Sequence, residues 1–252
     1  MKAIARIALA ALAAMALAPA AHAHEFVDVR PLVVGGQITT NGYDDGTGDV
    51  FPGQRVFLYE FLEDPGDPFF TSDPGFNLPS GSGLVPGSQL KFNVLSGSLF
   101  GLPANLSYWD GTGSPSFGLV PHGESLAWTL GSSSITIGNS LGDQTGYTLQ
   151  TVAGSGAIHK HLSAFLNGSG GDDPTTGVYL LTVELVSSDP GTEKSLPFVV
   201  LYGNGVDEQA ADAALAYAEA LLVPEPSSMA LAGLAGAGLA GLVARARRRS
   251  RR

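Results

Sequence analysis

The sequence predicts an all-β fold: an antiparallel β-sandwich of about eight strands with one C-terminal helix, followed by a single transmembrane helix. The first observation is that apolar residues in the middle of the chain alternate with polar ones at a period of two. The second is that these short runs are rich in β-branched and aromatic residues and are separated by turn-forming residues, with 34 glycines and 16 prolines among 252 residues. The third is that no internal repeat is found, which disfavours a propeller or a solenoid.

Eight runs are the predicted strands of this sandwich. They are residues 55–61, 89–95, 125–130, 134–138, 147–152, 158–166, 178–186 and 196–202. The segments 39–51 and 63–87 are rich in glycine, proline and aspartate and are expected to be long loops. The sandwich domain is therefore expected to occupy residues 24–206.

The helix is predicted over residues 207–222. Asp207 is a good N-cap, the Glu208 carboxylate suits the first turn, and Pro224 follows the end. Four residues at helical spacing form the predicted packing face: Ala214, Tyr217, Ala218 and Leu221. We expect this helix to pack on the sandwich and to connect it to the C-terminal tail.

The first 23 residues have the pattern of a secretory signal peptide. Lys2 and Arg6 precede an apolar run over residues 7–18, and the run is followed by the small-x-small sequence Ala21-His22-Ala23. The mature chain would then begin at His24. The alternative is an uncleaved membrane anchor, but the apolar run is only about half as long as a membrane span.

The C-terminal residues 223–252 combine three features in order. The motif Val223-Pro224-Glu225-Pro226-Ser227 precedes an uncharged apolar stretch over residues 229–244, and six arginines follow. The stretch is near the lower length limit for a membrane-spanning helix, and the arginines are expected on the cytoplasmic side. This segment resembles the PEP-CTERM sorting signal of Gram-negative bacteria.

The resemblance implies that an exosortase and the secretion machinery process an inner-membrane-anchored precursor, which then reaches the cell surface or extracellular matrix. The other reading of the same residues is an ordinary single-span anchor that is not cleaved.

The body of the chain is strongly acidic. Residues 24–226 contain all 23 acidic residues and only five of the 13 basic ones. Such a negative charge repels phosphate backbones, so nucleic acid is not expected as a partner. Cations are the expected partners. The chain has no cysteine, which excludes disulfides and thiolate metal sites.

Histidines are therefore the candidate metal ligands. His159 and His161 are two residues apart in a predicted strand, so both imidazoles leave the same face and can reach one ion. His24 would be the first residue of the mature chain, with Glu25 and Asp28 close behind it. Zinc accepts imidazole and carboxylate ligands, and His122 or a carboxylate would complete the site.

Several stretches of the body resemble PEP-CTERM proteins repressed by the bacterial zinc-uptake regulator. They are residues 71–76 (TSDPGF), 106–111 (LSYWDG), 158–161 (IHKH), 177–181 (GVYLL) and 198–208. The resemblance implies a role in zinc scarcity, with His24, His159 and His161 as ligands. The chain departs from that family after Glu208, where more acidic and His-bearing helix residues would be expected and residues 209–211 are Gln, Ala and Ala.

The sequence thus favours an exported, surface-sorted, non-enzymatic protein that binds or buffers zinc in the cell envelope. One alternative is a structural matrix protein associated with exopolysaccharide, which the Gly- and Ser-rich composition allows. Another is a copper oxygenase in which His24 binds copper through its ring and its amino group, an analogy at the level of the fold.

Other motifs favour ordinary structural roles. The acidic loop 44–49 and the Asp172-Asp173 pair are not expected to bind calcium, since the EF-hand register fails. Residues 138–142 match the Gly-x-Ser-x-Gly pattern of a nucleophile elbow, but the residues after Ser140 are predicted to form a turn and a strand and not the helix that this motif needs. Tyr108, Trp109 and Trp128 are candidates for a carbohydrate platform, although packing within strands is commoner.

Overall fold

A computed structural model of the protein describes residues 27–61, 66–121, 123–131 and 133–222. Within these ranges the chain forms 18 strands and one α-helix, so the prediction of a mostly β fold with a C-terminal helix is confirmed. The expected number of about eight strands is too low, because many strands have only two to four residues. Neighbouring strands pair in an antiparallel sense, with two exceptions: Asp28–Val29 pairs in parallel with Gly75–Leu78, and Val56–Glu60 pairs in parallel with Phe198–Asn204.

The elements are numbered in chain order. The strands are β1 (Asp28–Val29), β2 (Leu32–Val34), β3 (Gln37–Thr39), β4 (Asn41–Tyr43), β5 (Val50–Pro52), β6 (Val56–Glu60), β7 (Phe70–Thr71), β8 (Gly75–Leu78), β9 (Gln89–Leu95), β10 (Leu106–Trp109), β11 (Gly118–Leu119), β12 (Ser125–Leu130), β13 (Ser133–Ile137), β14 (Gln144–Thr151), β15 (Ile158–His161), β16 (Ser163–Asn167), β17 (Gly177–Ser187) and β18 (Phe198–Asn204). A 3₁₀ turn spans Gly97–Phe100, and the helix α1 spans Glu208–Leu222.

The strands form three larger sheets and one hairpin. A seven-stranded sheet has the path β11-β10-β17-β18-β6, with β9 paired to β17 and β14 paired to β9. A four-stranded sheet has the order β13-β12-β16-β7, and a five-stranded sheet has the order β15-β8-β1-β4-β5. The strands β2 and β3 form the hairpin. The first strand of the domain is therefore in the same sheet as the strand that carries the His-x-His pair.

The central strands β17 and β18 of the seven-stranded sheet are buried on both faces. In β18, Phe198, Val200 and Tyr202 belong to the main hydrophobic core, whereas Val199 and Leu201 face a second core beneath α1. This division follows the two-residue period of a strand. The sheet thus separates a large core, shared with the other sheets, from a smaller one closed by the helix.

The helix begins and packs as the sequence predicts. The Asp207 carboxylate accepts a hydrogen bond of 2.9 Å from the backbone N–H of Ala210, which is the expected N-cap contact. Ala214 and Ala218 are fully buried, and Tyr217 packs against the same core. Small side chains along this face let α1 lie close to the sheet.

Three sequence predictions are wrong in detail. The segment 158–166 is not one strand: Leu162 separates β15 from β16, which belong to different sheets. Leu162 is buried, and its N–H donates a hydrogen bond to the carbonyl of Pro74, the residue before β8. The expected loops 39–51 and 63–87 contain four strands, β4 and β5 in the first and β7 and β8 in the second.

The predicted signal peptide (1–23) and the predicted sorting segment (223–252, with Val223, Pro224, Glu225, Pro226 and Ser227) lie outside the described residues. Within the described part of the chain, no helix has the length and hydropathy needed to cross a membrane.

Candidate metal centre

The two histidines of β15 converge on the exposed edge of the five-stranded sheet. Both rings leave the same face of the strand, because a single residue separates them. Their Nε2 atoms are 3.1 Å apart, and their ring centroids are 5.1 Å apart. The side chains of His159 and His161 are 50% and 41% exposed, so a cation can approach them from solvent.

Asp28 reaches the same place from the first strand. β1 lies between β4 and β8 and pairs in parallel with β8 through Val29 and Phe76. The Tyr59 hydroxyl donates a hydrogen bond of 2.8 Å to the carbonyl of Val27 and so anchors the backbone just before Asp28. The Oδ2 atom of Asp28 lies 3.7 Å from Nε2 of His159.

The carboxylate of Asp28 is buried and incompletely satisfied. The residue is only 7% exposed, and its Oδ2 atom has no hydrogen-bond partner among the residues that the structure describes. Burial raises the pKa of this carboxyl, while the charge of His161, a hydrogen bond from Asn77 and the charge of His159 lower it. Nearby Asp45 adds to the rise. A buried acceptor without a donor is the kind of group that a cation would satisfy.

Gly75 allows these three side chains to approach one another. It lies opposite His161 in the pairing of β8 with β15. A Cβ atom at this position would lie 2.7 Å from both Cγ of Asp28 and Cε1 of His161, closer than real contacts allow. The close approach of β1, β8 and β15 at the site therefore requires glycine.

Further polar side chains surround the three. Asp73 Oδ1 lies 3.6 Å from Nδ1 of His161. Asn77 faces His159 across the ladder and donates a hydrogen bond of 3.3 Å to Asp45, in addition to its bond with Asp28. The carboxylates of Asp28 and Asp73 thus lie beside the two imidazoles, which makes the local field favourable for a cation.

The spacing of the donor atoms suits a small divalent ion. One donor atom from each of Asp28, His159 and His161 can be chosen so that all three lie within 4.8 Å of one another. In tetrahedral zinc sites, with ligand bonds of about 2.0–2.1 Å, neighbouring donors are roughly 3.4 Å apart. The two distances measured here, 3.1 Å between the histidines and 3.7 Å from His159 to Asp28, lie on either side of that value.

The remaining candidate ligands are not placed. His24, Glu25 and His122 lie outside the described residues. The site that is described therefore joins the predicted His159 and His161 with Asp28, which the sequence indicates only as a carboxylate near the mature N-terminus.

Sequence reasoning missed Asp73, Gly75 and Asn77, because they lie in a segment expected to be a loop. A weak signal was present in the sequence: the large apolar residues Phe76 and Leu78 alternate with Gly75 and Asn77, the two-residue period of a short strand.

The aromatic residues considered as a carbohydrate platform are mostly core. Trp128 and Trp109 are 1% and 4% exposed. The indole N–H of Trp128 donates to the Tyr202 hydroxyl at 2.9 Å, and the ring of Tyr108 packs at a tilt against buried Tyr179. These contacts leave no flat aromatic surface for a sugar ring at either tryptophan.

The other motifs have structural explanations. Ser140 lies between β13 and β14, so the next described element is a strand and not the helix that a nucleophile elbow needs. In the acidic loop, Asp44 Oδ1 accepts hydrogen bonds from the N–H groups of Gly46 and Thr47. This carboxylate therefore shapes its own turn.

Comparisons of the chain with known protein families, with curated proteins and with solved structures found no match in any of the three.

Proposed function

We propose that this chain is an exported protein of the cell envelope that binds a divalent cation, most readily zinc, through Asp28, His159 and His161. The observation that carries the proposal is the meeting of two Nε2 atoms with a buried carboxylate oxygen that has no other described partner. Imidazole nitrogen and carboxylate oxygen together suit zinc, whereas calcium prefers six or more oxygen ligands.

The scaffold supports a binding role. We infer that the sheets form a β-sandwich, because one large core is shared by strands of the seven-, four- and five-stranded sheets. The ligands come from β1 and β15, two strands fixed to the same central partner, β8. Ligands on strands hold their positions better than ligands on loops, and this favours tight binding.

The fourth ligand is proposed to be His24. It precedes Asp28 by four residues, a span of at most about 14 Å in an extended chain. Removal of residues 1–23 would make His24 the first residue of the mature protein. The PEP-CTERM-like tail would then deliver the protein to the cell surface, where it captures or buffers zinc without catalysing a reaction.

The test is a metal titration of the protein that begins at His24 and lacks the tail. Isothermal titration calorimetry at pH 8 with zinc, copper and calcium should find zinc bound in a one-to-one complex. His159→Ala together with His161→Ala should abolish this site, because two of three described ligands are lost. Lys160→Ala is the matched control, since Lys160 is exposed on the same strand between the two histidines.

An unchanged zinc affinity in the double variant would overturn the proposal. His24→Ala separates the four-ligand site from a three-ligand one: the expected result is weaker binding in the same stoichiometry. A preference for copper that disappears with His24→Ala would instead favour the copper site at the N-terminus.

A further inference from the structure

We propose that Asp73 is a positioning residue of this site, which holds His161 in the tautomer that leaves Nε2 free for a metal. This inference rests on the proposed metal-binding function. The two nitrogens of His161 face different groups: Nε2 lies 3.1 Å from Nε2 of His159, and Nδ1 lies 3.6 Å from Oδ1 of Asp73.

The chemistry of imidazole gives this arrangement its meaning. A neutral imidazole carries one N–H, and the nitrogen without the proton is the metal ligand. At 3.6 Å the Asp73 Oδ1 atom is beyond hydrogen-bond distance of Nδ1, so the proposal requires the two groups to close by several tenths of an ångström. In that position the carboxylate accepts the Nδ1 proton and leaves the lone pair on Nε2. Histidine ligands in metal sites commonly have such a partner, and its loss lowers metal affinity about 10- to 100-fold.

The backbone of Asp73 is held by the core, so the carboxylate has a defined position. The Tyr202 hydroxyl donates a hydrogen bond of 2.9 Å to its carbonyl, and Trp128 in turn donates to that hydroxyl. The N–H of Asp73 donates to Thr71. The carboxylate itself accepts a bond of 3.2 Å from the N–H of Gly75, and its side chain is only 16% exposed.

The same geometry argues against Asp73 as a direct ligand. Its oxygen faces Nδ1, on the opposite side of the ring from the nitrogen that meets His159. The group of donor atoms that can share one ion consists of Asp28, His159 and His161 and does not include Asp73. Asp73 therefore acts on the metal through His161.

The first experiment needs no metal. Long-range ¹H–¹⁵N NMR correlation spectra of the metal-free protein at pH 8 report which nitrogen of each histidine carries the proton. In the wild type we expect His161 to be protonated on Nδ1. In Asp73→Ala the Nε2-protonated form should grow, and Asp73→Asn, which keeps an oxygen acceptor, should restore the wild-type form in part. Equal tautomer populations in the wild type and Asp73→Ala would overturn the inference.

The second experiment measures zinc affinity in the same proteins. We expect Asp73→Ala to bind zinc about 10- to 100-fold more weakly than the wild type, with Asp73→Asn between them. Asp212→Ala, at an exposed position of α1, controls for the change in net charge. In a double-mutant cycle with His161→Ala, the Asp73→Ala substitution should have little further effect, because its partner is already gone.

The outcomes separate the two proposals. If the wild type binds no zinc but His161 keeps the Asp73-dependent tautomer, the metal function fails and the positioning role stands. If zinc binds and Asp73→Ala changes neither the tautomer nor the affinity, the positioning role fails alone. Additive losses in the double-mutant cycle, with a lower melting temperature in Asp73→Ala, would mean a general structural role and would also overturn the inference.

Discussion

Asp28→Asn should stabilise the metal-free protein and at the same time weaken its response to zinc. The carboxylate is 7% exposed, and its Oδ2 atom has no described hydrogen-bond partner. A buried polar atom in that state is unfavourable by about 1–3 kcal/mol, and a charged one by more. The amide of asparagine has the same shape and no charge, and its N–H can donate to the nearby imidazole of His159.

We therefore expect the free energy of unfolding of the metal-free variant to rise by about 1–3 kcal/mol, which for a domain of this size is roughly 2 to 12 °C in melting temperature. The difference should depend on pH. Burial raises the pKa of Asp28 in the folded state, so its ionisation disfavours folding. Wild-type stability is then lost relative to the variant as pH rises through the raised pKa, and the two should converge in acid, where the carboxyl is protonated.

The assay is thermal and urea unfolding with chelator and with zinc, for the wild type, Asp28→Asn and the control Asp212→Asn. Zinc at 100 times the wild-type dissociation constant should stabilise the wild type by about 2.7 kcal/mol and should stabilise Asp28→Asn by less. The reasoning is refuted if Asp28→Asn lowers the stability of the metal-free protein by 1 kcal/mol or more and keeps the zinc response, since Asp28 would then be a structural residue.

Two further substitutions test the packing that places the site. Gly75→Ala should lower zinc affinity at least about tenfold, because the added methyl group collides with a carboxylate and an imidazole of the site. Gly142→Ala is the control and should have no effect, since the space around Gly142 is open. Equal zinc affinities of the two variants would show that the strands can separate without harm to the site. Ala218→Leu should lower the free energy of unfolding in urea by about 1–3 kcal/mol, because the larger side chain overpacks the core beneath α1. Ala216→Leu, on the exposed side of the helix, should be nearly neutral. A neutral Ala218→Leu would mean that the helix packs loosely.

The sequence predicts those parts of the fold whose signal is local. The helix follows from Asp207 and its alanine-rich face, and the strands β9 and β12 have the predicted bounds because each alternates over six or seven residues. The shared face of His159 and His161 is also predictable from local sequence, since the two-residue period alone brings their rings to one face of the strand. In these cases propensity, pattern and packing all agree.

The rest of the site depends on pairings between distant residues. Asp28 and His159 are 131 positions apart, and they meet only because β1 and β15 both pair with β8. β8 has four residues and lies in a segment rich in turn-forming residues, so its pattern is too short to distinguish a strand from a loop. The break at Leu162 was missed for a similar reason, because a buried leucine fits the pattern of an unbroken strand.

The residues around Asp28 favour a ligand-binding role for the site over a purely structural one. A domain selected only for stability would gain by placing an asparagine at position 28, since that change removes a buried charge. It would also place a residue with a Cβ atom at position 75, with the strands far enough apart to admit it, because glycine weakens a strand. Here a buried carboxylate oxygen stays without a described donor, and Gly75 preserves the space that brings it to His161. Among the described buried polar atoms without a hydrogen-bond partner, Asp28 Oδ2 is the one that belongs to an ionisable side chain, whereas the others, such as Asn105 Oδ1 and Thr182 Oγ1, are neutral. A local loss of stability in a well-packed domain is expected where the missing interaction is supplied by a ligand, and a divalent cation is the ligand that two imidazoles and a carboxylate would bind.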